Sequence, residues 1–215
     1  MNIFVRHSAQ FAIAGLALFC ASNNSRADEN LFPSKSGSAW VFKGSAGPNK
    51  LVMTYKVTSS KTEAGKTTAV FKMFQGDTAI SSETYLIDGK GVRRALSGKS
   101  GLDAITPPLQ IIRYPVKIGE NWEWTGTIKS NGQNMAGHGK LKVAKLEDVV
   151  TDAGKYKAYR VDLDLTVQSG GTSIAIENSY WFAPNIGMVK QSVLMPDGKG
   201  GKVEIKAQVT DVKVK

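Results

Sequence analysis

Hydrophobic and polar residues alternate with a period of two along much of the chain. The alternation is clearest in residues 51–57, 159–167 and 203–209, where every second side chain is apolar. This pattern is typical of strands in an antiparallel sheet that has one buried face and one solvated face. After Val209 the phase of the alternation changes, which predicts a β-bulge near Thr210 and Asp211.

The sequence contains few segments with the hydrophobic pattern of a helix. The best helical candidate, residues 101–112, is interrupted by Pro107 and Pro108. Asn131-Gly132 and the Ser-Gly-Gly run at 169–171 are typical of hairpin turns between strands. We therefore predict an all-β protein of about a dozen strands, arranged as one curved antiparallel sheet, an open barrel or a sandwich.

Three blocks of sequence recur in the same order, which indicates an internal duplication. Residues 32–44 and 114–126 share an aromatic residue, Pro, Lys, Gly, Trp, a second aromatic residue and Gly in register. Two further matches link residues 63–66 with 152–155, and 85–92 with 180–188. We predict one β domain made of two related halves, at about 32–113 and 114–215. Two separate subdomains are the alternative, although the apolar junction at 109–115 favours one packed body.

The first 27 residues have the three-part pattern of a secretory signal peptide. A short basic start is followed by the apolar stretch 11–19, which is shorter than the ~20 apolar residues of a membrane-spanning helix. The small residues Ser25 and Ala27 then predict cleavage after Ala27, so that residues 28–215 are exported to the periplasm or the extracellular space. Lipidation at Cys20 is the disfavoured alternative, because the bulky Phe19 precedes it.

Composition narrows the possible chemistry. Cys20 is the only cysteine, so the predicted mature chain has no thiol for a disulfide, a zinc–thiolate site or a nucleophile. It carries 26 Lys and Arg against 18 Asp and Glu, spread thinly along the chain. Such an excess indicates either a solvated surface, which we favour, or attraction to an anionic envelope polymer. Export makes nucleic acid a poor candidate partner.

Motifs for catalysis are missing from the sequence. His138 is the only histidine after residue 27, and no Gly-x-Ser-x-Gly elbow or phosphate-binding glycine loop is present. The glycine loops that begin at Asp88 and Asp197 carry Lys where calcium would need oxygen ligands, so they are typical of turns. A pair of carboxylates for glycoside hydrolysis would have to come from acids that are typical of a solvated surface: Glu120, Glu123, Glu147, Asp148, Asp162 and Asp164. We predict no enzymatic activity, no cofactor and no metal.

Aromatic residues concentrate in the repeated blocks and are the candidate ligand-binding residues. They are Trp40, Trp122, Trp124, Trp181, Tyr85 and Tyr180. Aromatic rings along one face of a sheet can hold an acyl chain, a lipid or a sugar ring. Large aromatics at equivalent places in two repeats also form core layers, and we favour this second interpretation.

Three segments, 114–124, 151–161 and 180–190, resemble exported bacterial β-rich proteins of unknown function. Those proteins combine an early Pro-x-x-x-Gly-x-x-Trp with a late Tyr-Trp-x-Ala-Pro-x-x-Gly-x-Val-Lys, and the resemblance implies an architecture without an agreed activity. A looser similarity links the chain to the open half-barrels of periplasmic lipoprotein carriers, which bind acyl chains on a concave apolar face. This sequence departs from the carriers because it lacks the helices that line such a barrel.

Two functional hypotheses follow for an exported, non-catalytic module. In the first, a basic sheet face meets an anionic envelope polymer or a protein partner, and the tryptophans are fully buried. In the second, a concave aromatic face carries a hydrophobic, lipid-like molecule in a cavity lined by residues such as Trp40, Trp122, Met53 and Leu163.

Overall fold

The computed structural model describes residues 30–99, 102–130 and 132–215. Twelve strands, and no helix, occur in these ranges. The strands are β1 (Ala39–Ala46), β2 (Asn49–Glu63), β3 (Lys66–Gln75), β4 (Thr78–Asp88), β5 (Gly91–Ser97), β6 (Asp103–Arg113), β7 (Asn121–Ser130), β8 (Gln133–Thr151), β9 (Gly154–Ser169), β10 (Thr172–Ala183), β11 (Gly187–Pro196) and β12 (Lys202–Lys213).

The strands form a closed antiparallel barrel in which each strand pairs with the next along the chain. The last strand, β12, pairs with β1 and closes the sheet. The prediction of an all-β fold with about a dozen antiparallel strands is confirmed. The weak helical candidate near Pro107 and Pro108 is strand β6, and the change of phase near Thr210 is a bulge, because Val41 pairs with Asp211 while Phe42 pairs with Val209.

Alternating side chains from every strand build the core inside the barrel. In β9, for example, Val161, Leu163, Leu165 and Val167 are buried, whereas the residues between them are more exposed. Burial of these apolar faces is the main force that holds the strands in register, because a slip of one residue would turn each strand's apolar side chains to solvent.

The two predicted halves contain matching turns. The backbone N–H of Gly37 donates to the carbonyl of Val57 at 2.9 Å, and that of Gly119 donates to Val143 at 2.7 Å. The φ angles of the two glycines are 87° and 86°, so both turns need a left-handed backbone. The register of the sheet also shifts directly after both valines.

The other repeated blocks also lie six strands apart. Residues 63–66 form the β2–β3 turn and residues 152–155 the β8–β9 turn. Tyr85 lies in β4 and Tyr180 in β10. The positions of the repeated blocks agree with an internal duplication, which stays a prediction.

The predicted signal peptide, including Cys20, lies outside the described residues, as does Asn131 of the predicted hairpin. In the part of the chain that the structure describes, no helix has the length and apolar character needed to cross a membrane.

Candidate functional site

A cavity of about 70 Å³ lies inside the barrel, between inward-facing side chains of both halves. Its apolar wall is built mainly from aromatic rings and methionines: Phe32, Trp40, Phe42, Phe71, Phe182, Met73 and Met188. Pockets for drug-sized molecules occupy roughly 300–1,000 Å³. The cavity therefore has room for only a small molecule, or for part of a larger one.

The aromatic wall is centred on Phe32, which precedes the first strand. The centroid of its ring lies 4.7 Å from that of Tyr85, 5.0 Å from that of Phe71 and 6.1 Å from that of Phe182. These separations and tilted geometries are those that aromatic pairs favour. Phe32 thus links rings from β3, β4 and β10, and a large share of the interior packing depends on it.

Phe32 belongs to a short segment, residues 30–33, that we call the plug. The plug is fixed at the β10–β11 turn, where the N–H of Asn185 donates to the carbonyl of Asn30 at 2.8 Å. Leu31 is fully buried, and Pro33 lines the cavity beside Phe32. The chain ahead of β1 therefore enters the barrel and fills part of its interior.

On one side, the cavity is polar. The polar side consists of five residues that we call the tyrosine–arginine cluster: Tyr55, Glu83, Tyr85, Arg94 and Tyr180. The Nη1 atom of Arg94 lies 3.1 Å from Oε1 of Glu83, and the hydroxyl of Tyr85 donates to Oε2 of Glu83 at 2.6 Å. The hydroxyl of Tyr55 donates to the same Oε2 atom. One carboxylate thus accepts bonds from three side chains.

Strand geometry explains how these polar groups come to face inward. In β4, Glu83 is two residues from the buried Tyr85 and so projects from the same face. Arg94 holds the same relation to the buried Val92 in β5, and it pairs directly with Tyr85 across the two strands. Only 17% of the Glu83 side chain and 18% of the Arg94 side chain are exposed.

Burial sets the ionisation of the cluster. It raises the pKa of Tyr55 and Tyr85 well above 10.0, and the negative charge of Glu83 raises both further. Burial also raises the pKa of Tyr180, although Arg94 opposes this. Burial acts to lower the pKa of Arg94 and the negative charge of Glu83 acts to raise it, and the net direction is upward. The phenols therefore stay protonated as donors, and the guanidinium stays charged.

One donor of the cluster has no acceptor. The Nε atom of Arg94 is shielded from solvent and makes no hydrogen bond to any described residue. A buried polar group without a partner costs free energy, so such atoms call for an explanation.

Three of the six predicted aromatic residues meet at this site. Trp40 lines the cavity, and its indole donates to the carbonyl of Ile186 at 2.7 Å. Tyr85 and Tyr180 belong to the tyrosine–arginine cluster. Both are buried, as the core interpretation expects, and both also border the cavity. Their role in ligand binding stays a prediction.

Trp122 and Trp124 lie elsewhere in the interior, at the boundary between β6 and β7. The two strands pair only from Ala104 to Thr106, after which Pro107 and Pro108 have no backbone N–H to offer. The indole of Trp124 donates to the carbonyl of Pro107 at 2.8 Å, and that of Trp122 donates to Gln110 at 3.0 Å. These two tryptophans bridge the part of the β6–β7 boundary that has no backbone pairing, which we call the seam. Neither lines the cavity.

Trp181 faces the outside of the barrel, because its neighbours Tyr180 and Phe182 face the inside. It is nevertheless only 7% exposed. The Nζ atom of Lys190 lies 4.5 Å and the Cζ atom of Arg160 5.8 Å from the centroid of its ring. Cations are attracted electrostatically to the face of an indole, so charged side chains help to cover this tryptophan.

Of the residues expected to line an apolar cavity, Trp40 borders this one, whereas Trp122 and Leu163 do not. Met53 lines a much smaller space, of about 10 Å³, next to it. Period-two alternation assigns a side chain to the inner face of a sheet, but it does not say which inward side chains meet within a closed barrel.

The sequence interpretation missed the residues that make the cavity distinctive, which are Phe32, Tyr55, Phe71, Glu83 and Arg94. A signal existed for two of them. Glu83 and Arg94 are charged residues in phase with buried neighbours of their own strands, a placement that charged side chains occupy only when they are paired.

Two of the carboxylates considered for catalysis, Asp162 and Glu147, are held by hydrogen bonds from neighbouring side chains. Asp162 accepts two bonds of 2.8 Å from Arg160 and one of 2.7 Å from Ser179. Burial acts to raise the pKa of Asp162, but these hydrogen bonds outweigh it and hold the pKa below its ordinary value. Glu147 accepts a bond of 2.6 Å from the indole of Trp181.

The remaining sequence candidates lie in turns or on the outer face. His138 contacts Thr125 across β7 and β8, with 3.2 Å between Nδ1 and Oγ1. Asp88 and Asp197 accept hydrogen bonds from backbone N–H groups two residues further on, as side chains in turns do.

Comparison with known proteins gives a family match to part of the chain. A family model described as DUF3108-like matches residues 122–199, which is less than half of the chain. A comparison with curated proteins finds no match.

Two of the solved structures compared with this chain share its fold. A protein of Parabacteroides distasonis that is inferred to be a lipoprotein superposes with a TM-score of 0.55 and 16% identity, over 85% of this chain and 98% of its own. An inferred exported protein of Bacteroides fragilis, described as having a YmcC-like fold, gives 0.52 and 14% over the same shares. YmcC of Escherichia coli, a hypothetical lipoprotein, gives 0.41 and 12%, over 95% and 98%. The predicted resemblance is thus confirmed in its coarser form, as a DUF3108-like match and a YmcC-like fold.

Proposed function

We propose that this chain is an exported, non-catalytic binding module of the bacterial envelope whose barrel interior binds a small, largely apolar molecule. The observation that carries the proposal is a cavity with aromatic walls and a buried tyrosine–arginine cluster on one side. A mostly apolar pocket with a few convergent polar groups is the usual form of a small-molecule site.

The buried ion pair argues for binding rather than for stability. Replacing a buried ion pair by apolar residues of similar volume is often neutral or even stabilising, by about 1–4 kcal/mol. A core built only for stability would therefore gain little from Glu83 and Arg94. In a binding site, however, such residues have a role, because a few polar groups in an apolar pocket fix the orientation of the ligand.

The same cluster supports a non-catalytic role. The carboxylate of Glu83 already accepts bonds from Tyr55, Tyr85 and Arg94, so its oxygens are occupied. Burial holds the three tyrosines in their protonated form. A general base must reach the proton that it removes, and here both carboxylate oxygens already accept hydrogen bonds from buried side chains.

Support for export comes from two directions. The first 27 residues have the pattern of a signal peptide. Two proteins that share the fold are described, by inference, as a lipoprotein and as an exported protein.

Entry of a ligand requires the plug to move. The cavity of about 70 Å³ cannot hold a molecule with a long apolar body, whereas displacement of Phe32 would open the space between Phe71, Tyr85 and Phe182. The plug lies ahead of the first strand, so its displacement would break none of the strand pairings of the barrel.

The test is native mass spectrometry of the full chain, expressed in a Gram-negative host and purified from its envelope fraction, with an organic extract analysed in parallel. We expect a bound species of low mass that enters the extract. Met73→Trp, which fills the cavity, should lose this species, whereas Val52→Trp, on an exposed position, should keep it. A ligand-free mass for the wild type, together with no binding of ethylbenzene by Phe32→Ala, would overturn the proposal.

A second candidate function, binding of an anionic envelope polymer, rests on a row of cations on the outer face. Lys145 and Arg160 lie opposite each other on adjacent strands, and Trp181 lies opposite both Arg160 and Lys190. Gln208 in turn lies opposite both Lys190 and Lys43. This basic row crosses six strands at about 4.8 Å per strand. Polyanions are attracted to such a row, and the attraction weakens as salt increases.

Heparin serves as the probe for this candidate. We expect Lys43→Glu with Lys190→Glu to weaken heparin binding at low salt by at least tenfold, whereas Lys213→Glu, outside the row, should change it little. Binding that is equal in both variants, or that is insensitive to salt, would contradict the second candidate.

A further inference from the structure

The hydrogen-bonding capacity of the tyrosine–arginine cluster is unbalanced. Both oxygens of Glu83 are engaged, one by Arg94 and the other by two tyrosines. A guanidinium has five N–H donors in a planar fork. Arg94 contacts Glu83 through Nη1 and also forms a side-chain hydrogen bond with Tyr180, whereas its Nε has no acceptor among the described residues. The cluster therefore has a surplus of donors.

The charge of the cluster, in contrast, is balanced. Glu83 carries one negative charge and Arg94 one positive charge, and burial and Glu83 keep Tyr55 and Tyr85 neutral. A second anion placed beside this pair would have no countercharge. Burial of an unpaired charge costs far more than burial of a neutral acceptor that receives a hydrogen bond.

Taken with the proposed function, on which this step rests, these two features define a ligand class. We propose that the ligand is an uncharged apolar molecule with a carbonyl oxygen at one end, such as an acyl ester, and that Arg94 donates hydrogen bonds to that oxygen. The apolar body lies among the rings of Trp40, Phe71 and Phe182, in the space that Phe32 vacates. Arg94 and the cavity wall thus select for a neutral acceptor over a carboxylate.

Contacts around the cavity agree with this orientation. Tyr85 touches both parts of the site, because its ring lies 4.7 Å from that of Phe32 and its hydroxyl donates to Glu83. A molecule that replaces Phe32 therefore has its polar end next to the cluster. Arg94 itself lines the cavity, so a modest change of its side chain brings a free donor to the ligand.

Three probes of similar size separate the possibilities: methyl benzoate, benzoate and ethylbenzene. They offer a neutral carbonyl, a carboxylate and no acceptor, respectively. Calorimetry at neutral pH with the full chain and with Phe32→Ala should show methyl benzoate binding at least tenfold more tightly than benzoate. Benzoate binding as tightly as the ester would overturn the proposal.

The role of Arg94 is tested with a neutral pair. Glu83→Gln combined with Arg94→Met removes both charges while keeping the volume similar, so no buried charge is left alone. The wild type should prefer methyl benzoate to ethylbenzene, and we expect this preference to fall at least tenfold in the double variant. Arg93→Met is the matched control, because Arg93 is the next residue of β5 and pairs with Asp88 away from the cavity.

The outcomes distinguish this inference from the proposed function. If ethylbenzene binds and the double variant keeps the preference for the ester, the inference fails and the binding module stands. If none of the three probes binds to either the wild type or Phe32→Ala, and the purified chain carries no ligand, both fail.

Discussion

The indole Nε1 of Trp124 donates a hydrogen bond of 2.8 Å to the carbonyl oxygen of Pro107, across a part of the β6–β7 boundary where backbone pairing has ended. Two consecutive prolines make that ending necessary, because Pro107 and Pro108 cannot supply N–H groups to a ladder. A side-chain donor takes the place of a backbone donor. The barrel is therefore closed here by tryptophan.

The first prediction concerns this bond. Trp124→Phe keeps a ring in the core and removes the donor, which leaves the carbonyl of Pro107 without its partner. We expect the free energy of unfolding, measured in urea, to fall by about 1–3 kcal/mol. His138→Ala, on the outer face of the neighbouring strand, should stay within about 0.5 kcal/mol of the wild type. Equal stability of Trp124→Phe and the wild type would show that the bond does not hold the seam.

A second prediction concerns the surface on which Trp124 lies. A Cβ atom added to Gly137 would stand 2.6 Å from Cζ3 of Trp124, which is closer than real contacts allow. We expect Gly137→Ala to destabilise the barrel by about 1–3 kcal/mol, as overpacking does, with a lower thermal midpoint. Gly89→Ala is the control, since its Cβ would meet nothing within 4 Å and its φ lies outside the left-handed region. If both variants melt at the same temperature, the tryptophan is not held against Gly137.

Much of the fold could be predicted from the sequence, because period two is a local property. Alternation in residues 159–167 identified a strand and its buried face, and the phase change after Val209 located a bulge. Closure could not be predicted in the same way. It depends on whether β12 meets β1, a pairing of residues more than 150 positions apart that leaves no local pattern. Pro107 and Pro108 were interpreted as the interruption of a helix, whereas they end the backbone pairing between β6 and β7.

The candidate site was predictable only in part. The repeats drew attention to Tyr85 and Tyr180, which lie on strands six apart and meet in one cluster. Glu83 and Arg94 were missed because charged residues on a strand were taken to face solvent. Their inward position follows from the pairing of β4 with β5, which sets Tyr85 opposite Arg94.

The third prediction tests how the buried pair contributes to stability. Arg94→Met alone leaves the carboxylate of Glu83 buried and unpaired, so we expect a loss of about 3–5 kcal/mol in the free energy of unfolding. Glu83→Gln together with Arg94→Met should cost clearly less than the sum of the two single changes, because no lone charge remains. Urea unfolding of the four proteins measures this coupling. Additive effects would mean that the two side chains do not interact in the folded barrel.

The fourth prediction follows from the buried tyrosines. Burial, reinforced by Glu83, raises the pKa of Tyr55 and Tyr85 well above the ordinary value of 10.0 that they regain on unfolding. Below that value both states hold the protons, and stability does not depend on these groups. Above it the unfolded chain releases protons that the barrel retains, so the free energy of unfolding falls as pH rises. We expect phenolate absorbance to appear together with loss of β structure in an alkaline titration.

Tyr85→Phe removes one of these shifted groups, so its stability should fall less steeply with pH above 10.0 than that of the wild type. Tyr156→Phe is the comparison, because Tyr156 lies outside the cluster and burial alone raises its pKa. The slope of unfolding free energy against pH, measured in urea at several alkaline pH values, gives the result. Burial and Glu83 together raise the pKa of Tyr85, whereas burial alone raises that of Tyr156, so the change of slope in Tyr85→Phe should exceed that in Tyr156→Phe once the pH passes the folded pKa of Tyr156. Equal slopes in the two variants at every alkaline pH would mean that the pKa of Tyr85 is raised no more than that of Tyr156.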